Sequence, residues 1–292
     1  MAFTQSPEVH PYYDALTNTV CYLVIDAETN ACGVIDSVLN FDYAAGAISY
    51  EQADSIISEI AGRGLKLQWL IETHVHADHL SAAPYIQEKC GGEIIISKEI
   101  TAVQNIFGKV FNAGTEFERD GSQFDKLLSD GDEYAIGTIK ARAMHTPGHT
   151  PACMAHIIGD AVFVGDTLFM PDGGTARADF PGGDARTLYR SIQKILALPD
   201  ETRVFVCHDY QPGGREVAWE TTVKDQRLSN IHIGGDVSED AFVKKREARD
   251  STLQMPKLIM PSIQVNMRAG HMPAPEDNGD TYLKVPVTGL RS

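Results

Sequence analysis

Thr73-His74-Val75-His76-Ala77-Asp78-His79-Leu80 gathers three of the chain's 10 histidines and a carboxylate into one short stretch. It directly follows Leu67-Gln68-Trp69-Leu70-Ile71-Glu72, an apolar run that reads as a buried strand. Imidazole nitrogen and carboxylate oxygen are the donors that hold zinc, iron or manganese. A loop at a strand end can turn several of them towards one point. A polar loop whose histidines merely cap the next helix has no use for such density. The stretch predicts a metal site whose remaining donors lie downstream.

The flanking sequence suggests the architecture. Val20 to Ile25 and Ala31 to Ile35 are β-rich runs separated by the turn Asp26-Ala27-Glu28-Thr29-Asn30. Asp36 ends the second run, either to start a loop or to support the histidine cluster. Ala53, Ile56, Ile57 and Ile60 recur at helical spacing, and Gly62 and Gly64 suit the helix end. Ser81 to Cys90 reads as a helix with Pro84 in its first turn, and Glu93 to Ser97 as a strand. Alternation of strand and helix from residue 67 to 110 predicts parallel pairing with helices outside.

From about Lys126 short strands and turns take over. Tyr134 to Ile136 and Ile139 to Ala143 are strands, and Cys153 to Ile158 pairs with Ala161 to Val164 across Gly159-Asp160. Leu188, Ile192, Ile195 and Leu196 mark an amphipathic helix, and Val204 to Cys207 a last strand. Residues 215–228 and 238–250 read as helices with solvated charged faces. Two βα-rich halves with the metal loop between them predict an α/β fold (α+β by some schemes), a four-layer αββα sandwich. The expected organisation is one domain over residues 1–292, with 211–292 a helical and extended C-terminal extension of it.

Composition narrows the function. With 40 acidic against 25 basic residues the net charge is −15, which argues against non-specific nucleic-acid or anionic-membrane binding. A small anionic substrate in a locally basic pocket is compatible with it. No apolar run approaches the ~20 residues of a membrane span, and the N-terminus has no basic targeting region. A cytoplasmic location is expected. Cys21, Cys32, Cys90, Cys153 and Cys207 are scattered and odd in number, which predicts buried free thiols rather than disulfides. Cys207 and His208 are expected on opposite faces of a strand.

Three later strands end in further donors. These ends are His145-Thr146-Pro147-Gly148-His149-Thr150, Phe163-Val164-Gly165-Asp166 and Val204-Phe205-Val206-Cys207-His208-Asp209-Tyr210. Each alone fits a satisfied polar residue at a strand end. Together with the first cluster they fit a metal centre.

The set His74, His76, Asp78, His79, His149, Asp166 and His208 resembles the ligand signature of the metallo-β-lactamase superfamily. That resemblance implies the αββα fold with a metal site at its edge, and it leaves the reaction open. Pro147-Gly148-His149-Thr150-Pro151, Gly165-Asp166, Arg177-Ala178-Asp179-Phe180, His208-Asp209-Tyr210 and Asn266-Met267-Arg268 are together similar to the persulfide dioxygenases. The loop at 37–50 and the insertion around 104–126 resemble the bacterial, rhodanese-associated type. Thr175 stands where relatives of the mitochondrial type place a cysteine.

The resemblance implies one Fe(II) per chain held by His74, His149 and Asp166, and no organic cofactor. It implies that His76, Asp78, His79, His208 and Tyr210 orient the ligands and position water and protons. Glutathione would be held by Arg177, Tyr210, Asn266 and Arg268. The substrates would be glutathione persulfide and O2, in sulfide detoxification, with a functional link to a separate rhodanese. A homodimer is implied, with Leu258, Ile259 and Ile263 as candidate contacts. The alternative is a glyoxalase II-like binuclear metal thioesterase that hydrolyses acyl-glutathione. A third reading, a metal- or persulfide-binding sensor without turnover, fits an intact donor set least well.

Overall fold

Alternating β-rich runs and short turns build a first sheet around the strand that precedes the histidine stretch. The computed structural model describes residues 5–287 and 289, so the outermost ends of the expected 1–292 domain lie outside the described residues. Strand β1 (Glu8–Asp14) pairs antiparallel with β2 (Thr19–Asp26), and β2 with β3 (Ala31–Ile35) across the expected turn. A small sheet combines β4 (Val38–Asp42) and β5 (Ala47–Ser49) with a later strand. Helix α1 (Glu51–Arg63) stops at Gly64, whose φ of 64° supplies the left-handed cap. Next come β6 (Lys66–Ile71), β7 (Leu80–Ser81), which joins β4 in the small sheet, and α2 (Ala83–Cys90). Strand β8 (Glu93–Ser97), α3 (Ile100–Val110) and β9 (Lys126–Leu128) complete this half. The order is β1-β2-β3-β6-β8-β9, with β3, β6, β8 and β9 parallel.

The second sheet runs in chain order: β10 (Glu133–Ile136), β11 (Ile139–His145), β12 (Met154–Ile158), β13 (Ala161–Phe163), β14 (Arg203–Phe205) and β15 (Glu220–Thr222). Its first four strands are antiparallel neighbours, while β13 and β14 pair in parallel. A parallel pair needs a crossover, and helix α4 (Ala185–Leu196) provides it. Helices α5 (Val223–Ser229), α6 (Glu239–Asp250) and α7 (Ile259–Asn266) follow.

Side-chain alternation divides each strand between two cores. Val20, Tyr22, Val24 and Ile71 meet Ile139, Met154, Phe163 and Phe205 between the sheets. Leu23, Ile25, Val34 and Leu70 face the other way, onto Ile56, Ile86, Val103 and Ile263 of the first helical layer. On the far face of the second sheet, Ile157, Val162 and Val204 pack against Leu188, Ile192 and Phe242. This is the expected αββα sandwich. No helix among the described residues is long and apolar enough to cross a membrane.

Three local expectations are corrected. The helix expected over 215–228 begins only at Val223, because Glu220–Thr222 pairs with β14 and Thr222 then caps the helix through Asp225 N–H. Leu80–Ser81 is drawn into the small sheet, so that helix starts at Ala83. Ile259 and Ile263, candidate dimer contacts, are buried in the chain's own core, and Leu258 lines the cavity described below.

Candidate metal centre

The parallel strands β3 and β6 end side by side, which brings Asp36 to the start of the histidine loop. Asp36 adopts φ 53°, a left-handed conformation uncommon for a residue with a side chain. Its carboxylate accepts from Thr73 N–H and Thr73 Oγ1–H, both at 2.8 Å, and meets His76 Nε2 at 2.9 Å. Burial pulls the His76 imidazole down, but the Asp36 carboxylate outweighs it and pushes the group up to about 9. The supporting role weighed for Asp36 is the one its contacts serve.

Two glycines admit the next donors. Gly148 has φ 136°, and a Cβ there would fall 2.3 Å from Leu188 Cα, so only glycine lets this turn sit against α4. His149 follows, and its Nδ1 donates to Arg177 O at 2.8 Å. Gly165 has φ 50°, and a Cβ would meet Thr73 Oγ1 at 2.6 Å. Asp166 comes next and lies against the histidine loop. Its Oδ2 is 3.6 Å from His149 Nε2 and 4.0 Å from His74 Nε2.

Two donor sets result. In the first, His74, His149 and Asp166 bring one ligand atom each to within 4.8 Å of one another. His74 Nδ1 is anchored on Thr73 Oγ1 at 3.0 Å. Burial first, and then the neighbouring imidazoles His76 and His149, push His74 well below the usual histidine range, which keeps it a neutral donor. Asp78 and His79 cluster with His76 within the same 4.8 Å, and His208 joins them through Asp78, so that Asp78, His79 and His208 are taken together as a second set. His208 Nε2 lies 3.3 Å from both Asp78 Oδ2 and Asp166 Oδ1, so Asp166 borders both sets. Burial lowers His208, but the carboxylates of Asp78 and Asp166 more than reverse it. One hydroxyl, Thr19 Oγ1, approaches Asp78 Oδ2 at 3.5 Å and the Nδ1 atoms of His79 and His208 at 3.4 Å each.

Buried polar atoms are normally hydrogen-bonded. Here His74 Nε2, His76 Nδ1, His79 Nε2, His208 Nε2 and Asp166 Oδ1 are buried without a hydrogen-bond partner, and each residue belongs to a cluster whose ligand atoms lie within 4.8 Å of one another. Clustered unpaired nitrogen and carboxylate oxygen atoms fit a metal ion. Cys207 departs from its expectation. Its Sγ donates to Asp36 Oδ2 at 3.5 Å and lies with His76 and His208, because β14 has ended at Phe205 and strand alternation no longer applies. Burial pushes that thiol well above its ordinary range, which makes it inert.

A cavity of about 1020 Å³ opens from the donors. Asp78, His149 and Asp166 line its inner end, Phe169, Phe180 and Tyr210 its apolar wall, and Arg177, Arg246, Arg249 and Lys257 supply its cations. Arg177 is committed to Asp179 at 2.6 Å and lies over the Phe180 ring. Arg246 is committed to Asp250 at 2.7 Å. Arg249 and Lys257 are exposed and have no ion-pair partner among the described residues.

Sequence reasoning singled out neither of these two cations nor Thr19, and nothing in their local sequence marks them. Tyr210 sits at the cavity, its ring stacked on His208 at 5.8 Å between centroids. Asn266 and Arg268 are not among the lining residues. The Asn266 amide is used up on the backbone of the histidine loop, while the Arg268 guanidinium lies 4.3 Å from the Phe117 ring centroid.

Residues 15–208 match the metallo-beta-lactamase superfamily. A Burkholderia pseudomallei protein named "Probable metallo-hydrolase" is 54% identical, with 97% of this chain and 99% of that protein covered. "Glyoxylase B2" of Dictyostelium discoideum is 46% identical, with 97% of each covered. The human mitochondrial persulfide dioxygenase ETHE1 is 29% identical, with 88% of this chain and 87% of that protein covered. Of the longer beta-lactamase hydrolase-like protein of Xylella fastidiosa (strain Temecula1), 49% identical, the chain spans 66%. The crystal structure of ETHE1 from Myxococcus xanthus superposes with a TM-score of 0.71 at 29% identity, over 90% of this chain and 100% of that one. A matched donor order, a shared sandwich and identity of this extent lead to one assignment: the chain belongs to the metallo-beta-lactamase superfamily.

Proposed function

We propose that this chain is a persulfide dioxygenase, with one Fe(II) held by His74, His149 and Asp166. The overall reaction takes glutathione persulfide, O2 and water to glutathione and sulfite, and the sulfane sulfur gains three oxygen atoms, two from O2 and one from water. The observation that carries this reading is the unequal anchoring of the two donor sets. The outer nitrogens of His74 and His149 are fixed at 3.0 and 2.8 Å, whereas His79 and His208 find contacts only at 3.2–3.6 Å. Orienting contacts raise metal affinity, so the first set is the stronger one. Bound iron supplies redox activation of dioxygen, which closed-shell zinc does not.

The chain's own residues do the rest. Arg249 and Lys257, basic in an acidic protein, suit the two carboxylates of glutathione. Arg177, locked by Asp179, shapes the wall between them and His149. The buried rings of Phe169 and Phe180 keep water from the reacting sulfur, and the more exposed Tyr210 lines the same wall. His208 Nε2, bordered by Asp78 and Asp166, holds a proton beside the first set.

A second reading is favoured by one observation, the placement of His208 Nε2 between Asp78 Oδ2 and Asp166 Oδ1, 3.3 Å from each, with His79 beside Asp78. Two filled sets would make a binuclear hydrolase of glutathione thioesters. Metal analysis paired with oxygen uptake on glutathione persulfide decides between them. About one iron per chain with persulfide-dependent oxygen uptake is expected. Two zinc ions with lactoylglutathione hydrolysis overturn the dioxygenase reading.

A further inference from the structure

The C-terminal segment meets the metal loop through one side chain. Asn266 ends α7 and is 4% exposed. Its Oδ1 accepts from Ser81 N–H at 2.8 Å, and its Nδ2 donates to His76 O at 2.9 Å and His79 O at 2.8 Å. Both amide hydrogens and the oxygen are thus spent on the backbone that carries His76, Asp78 and His79. The partners also fix which way the amide points, because two carbonyls require the NH2 and one N–H requires the oxygen.

The side chain is itself held in place. Gln104 Nε2 donates to Met267 O at 3.0 Å just beyond it. Gly270, at φ 84°, sits so close to Pro84 that a Cβ would fall 2.6 Å from its Cδ. Met267 and Ala269 are buried in the first helical core. Asn266 is therefore a rigid post, outside the residues 15–208 that match the family.

We propose that Asn266 is a positioning residue. It fixes the loop backbone between His76 and Ser81, and through it the His74 ligand two residues upstream as well as Asp78 and His79, so that these donors keep the angles that metal retention needs, and it makes no contact with substrate. Without it the two loop carbonyls and the Ser81 N–H lose their partners in a buried site and must move to find others. The inference rests on reading the cluster as a metal site.

The test uses Asn266→Ala, the near-isosteric Asn266→Asp, and Arg268→Ala as a neighbour whose contacts lie away from the loop. The aspartate variant keeps the acceptor for Ser81 and loses both donors, so it reports even if the alanine variant does not fold. Metal release to a chelator, Tm with and without bound iron or zinc, and KM separately from kcat are measured. Both Asn266 variants are expected to bind metal about 10- to 100-fold more weakly. The rise in Tm on metal loading should shrink in both while KM stays unchanged, and Arg268→Ala should retain the metal. A raised KM with normal metal retention returns Asn266 to substrate binding. An equal loss of Tm with and without metal makes it merely structural. Unaltered metal retention in both variants overturns this inference alone, whereas a wild-type protein that binds no metal overturns the site reading as well.

Discussion

The two donor sets share Asp166 and the same loop, yet they are built differently. His74 and His149 each have the outer nitrogen bonded to a single short partner, Thr73 Oγ1 and Arg177 O. Asp78, His79 and His208 share one hydroxyl, Thr19 Oγ1: its single hydrogen serves Asp78 and its oxygen is left to accept from both imidazoles at 3.4 Å each, while His208 Nδ1 also reaches Asn18 O at 3.2 Å. One set is a rigid cradle and the other a set of donors loosely tied. On the proposed reading, this difference in the contacts behind the imidazoles makes the first set the one that fills first.

The largest expected effect tests that order. His149→Ala should remove the metal of the first set and lower kcat/KM by about 10³-fold or more, while His208→Ala keeps one metal per chain. Elemental analysis of both variants checks it. Equal metal loss in the two would merge the sets into one binuclear centre.

The next effect limits the pH range in which the comparison can be made. His156 is buried in β12 beside Tyr134 OH at 2.9 Å, and burial pushes its imidazole down to about 4. The unfolded chain, with an ordinary histidine near 6.5, binds the proton first as pH falls. Stability is therefore full above about pH 6.5 and drops towards pH 4, by at most about 3 kcal/mol for this group. Denaturant unfolding across that range should show the loss, and His156→Gln should flatten it.

A smaller effect concerns the cavity that both sets face. Removing the two unpaired cations in Arg249→Ala/Lys257→Ala should raise KM about 10-fold or more with kcat little changed. Steady-state kinetics at low and moderate salt will show whether the substrate's carboxylates sit there. The smallest effect isolates the shared hydroxyl. Thr19→Val should weaken any second metal by about 10-fold and leave the first in place. If titration shows the first metal weakened equally, the contrast between cradle and loose set fails.

Much of this was legible in the chain itself. The strand before Thr73, the hairpin turn after Ile25 and the Gly159-Asp160 turn carry local dihedral and periodicity signals, and all fall where expected. The donors His74, His149 and Asp166 are visible because each follows a strand at its turn. The edge strand Glu220–Thr222 was not, because pairing with β14 decides it against a helical charge pattern. The motif reading assigns Asn266 to glutathione, whereas its amide is spent on the loop backbone and it does not line the cavity.

The sequence by itself determined the donor types, their order and the sandwich that gathers them, since these follow from strand periodicity and turn residues read within short windows. Only the tertiary structure decided that Asp36 and Thr19 stand behind the histidines, that Asn266 braces their loop, and that Arg249 and Lys257 face the cavity. Those contacts join residues far apart in the chain, and hydrogen-bond geometry between distant backbones leaves no local imprint on composition.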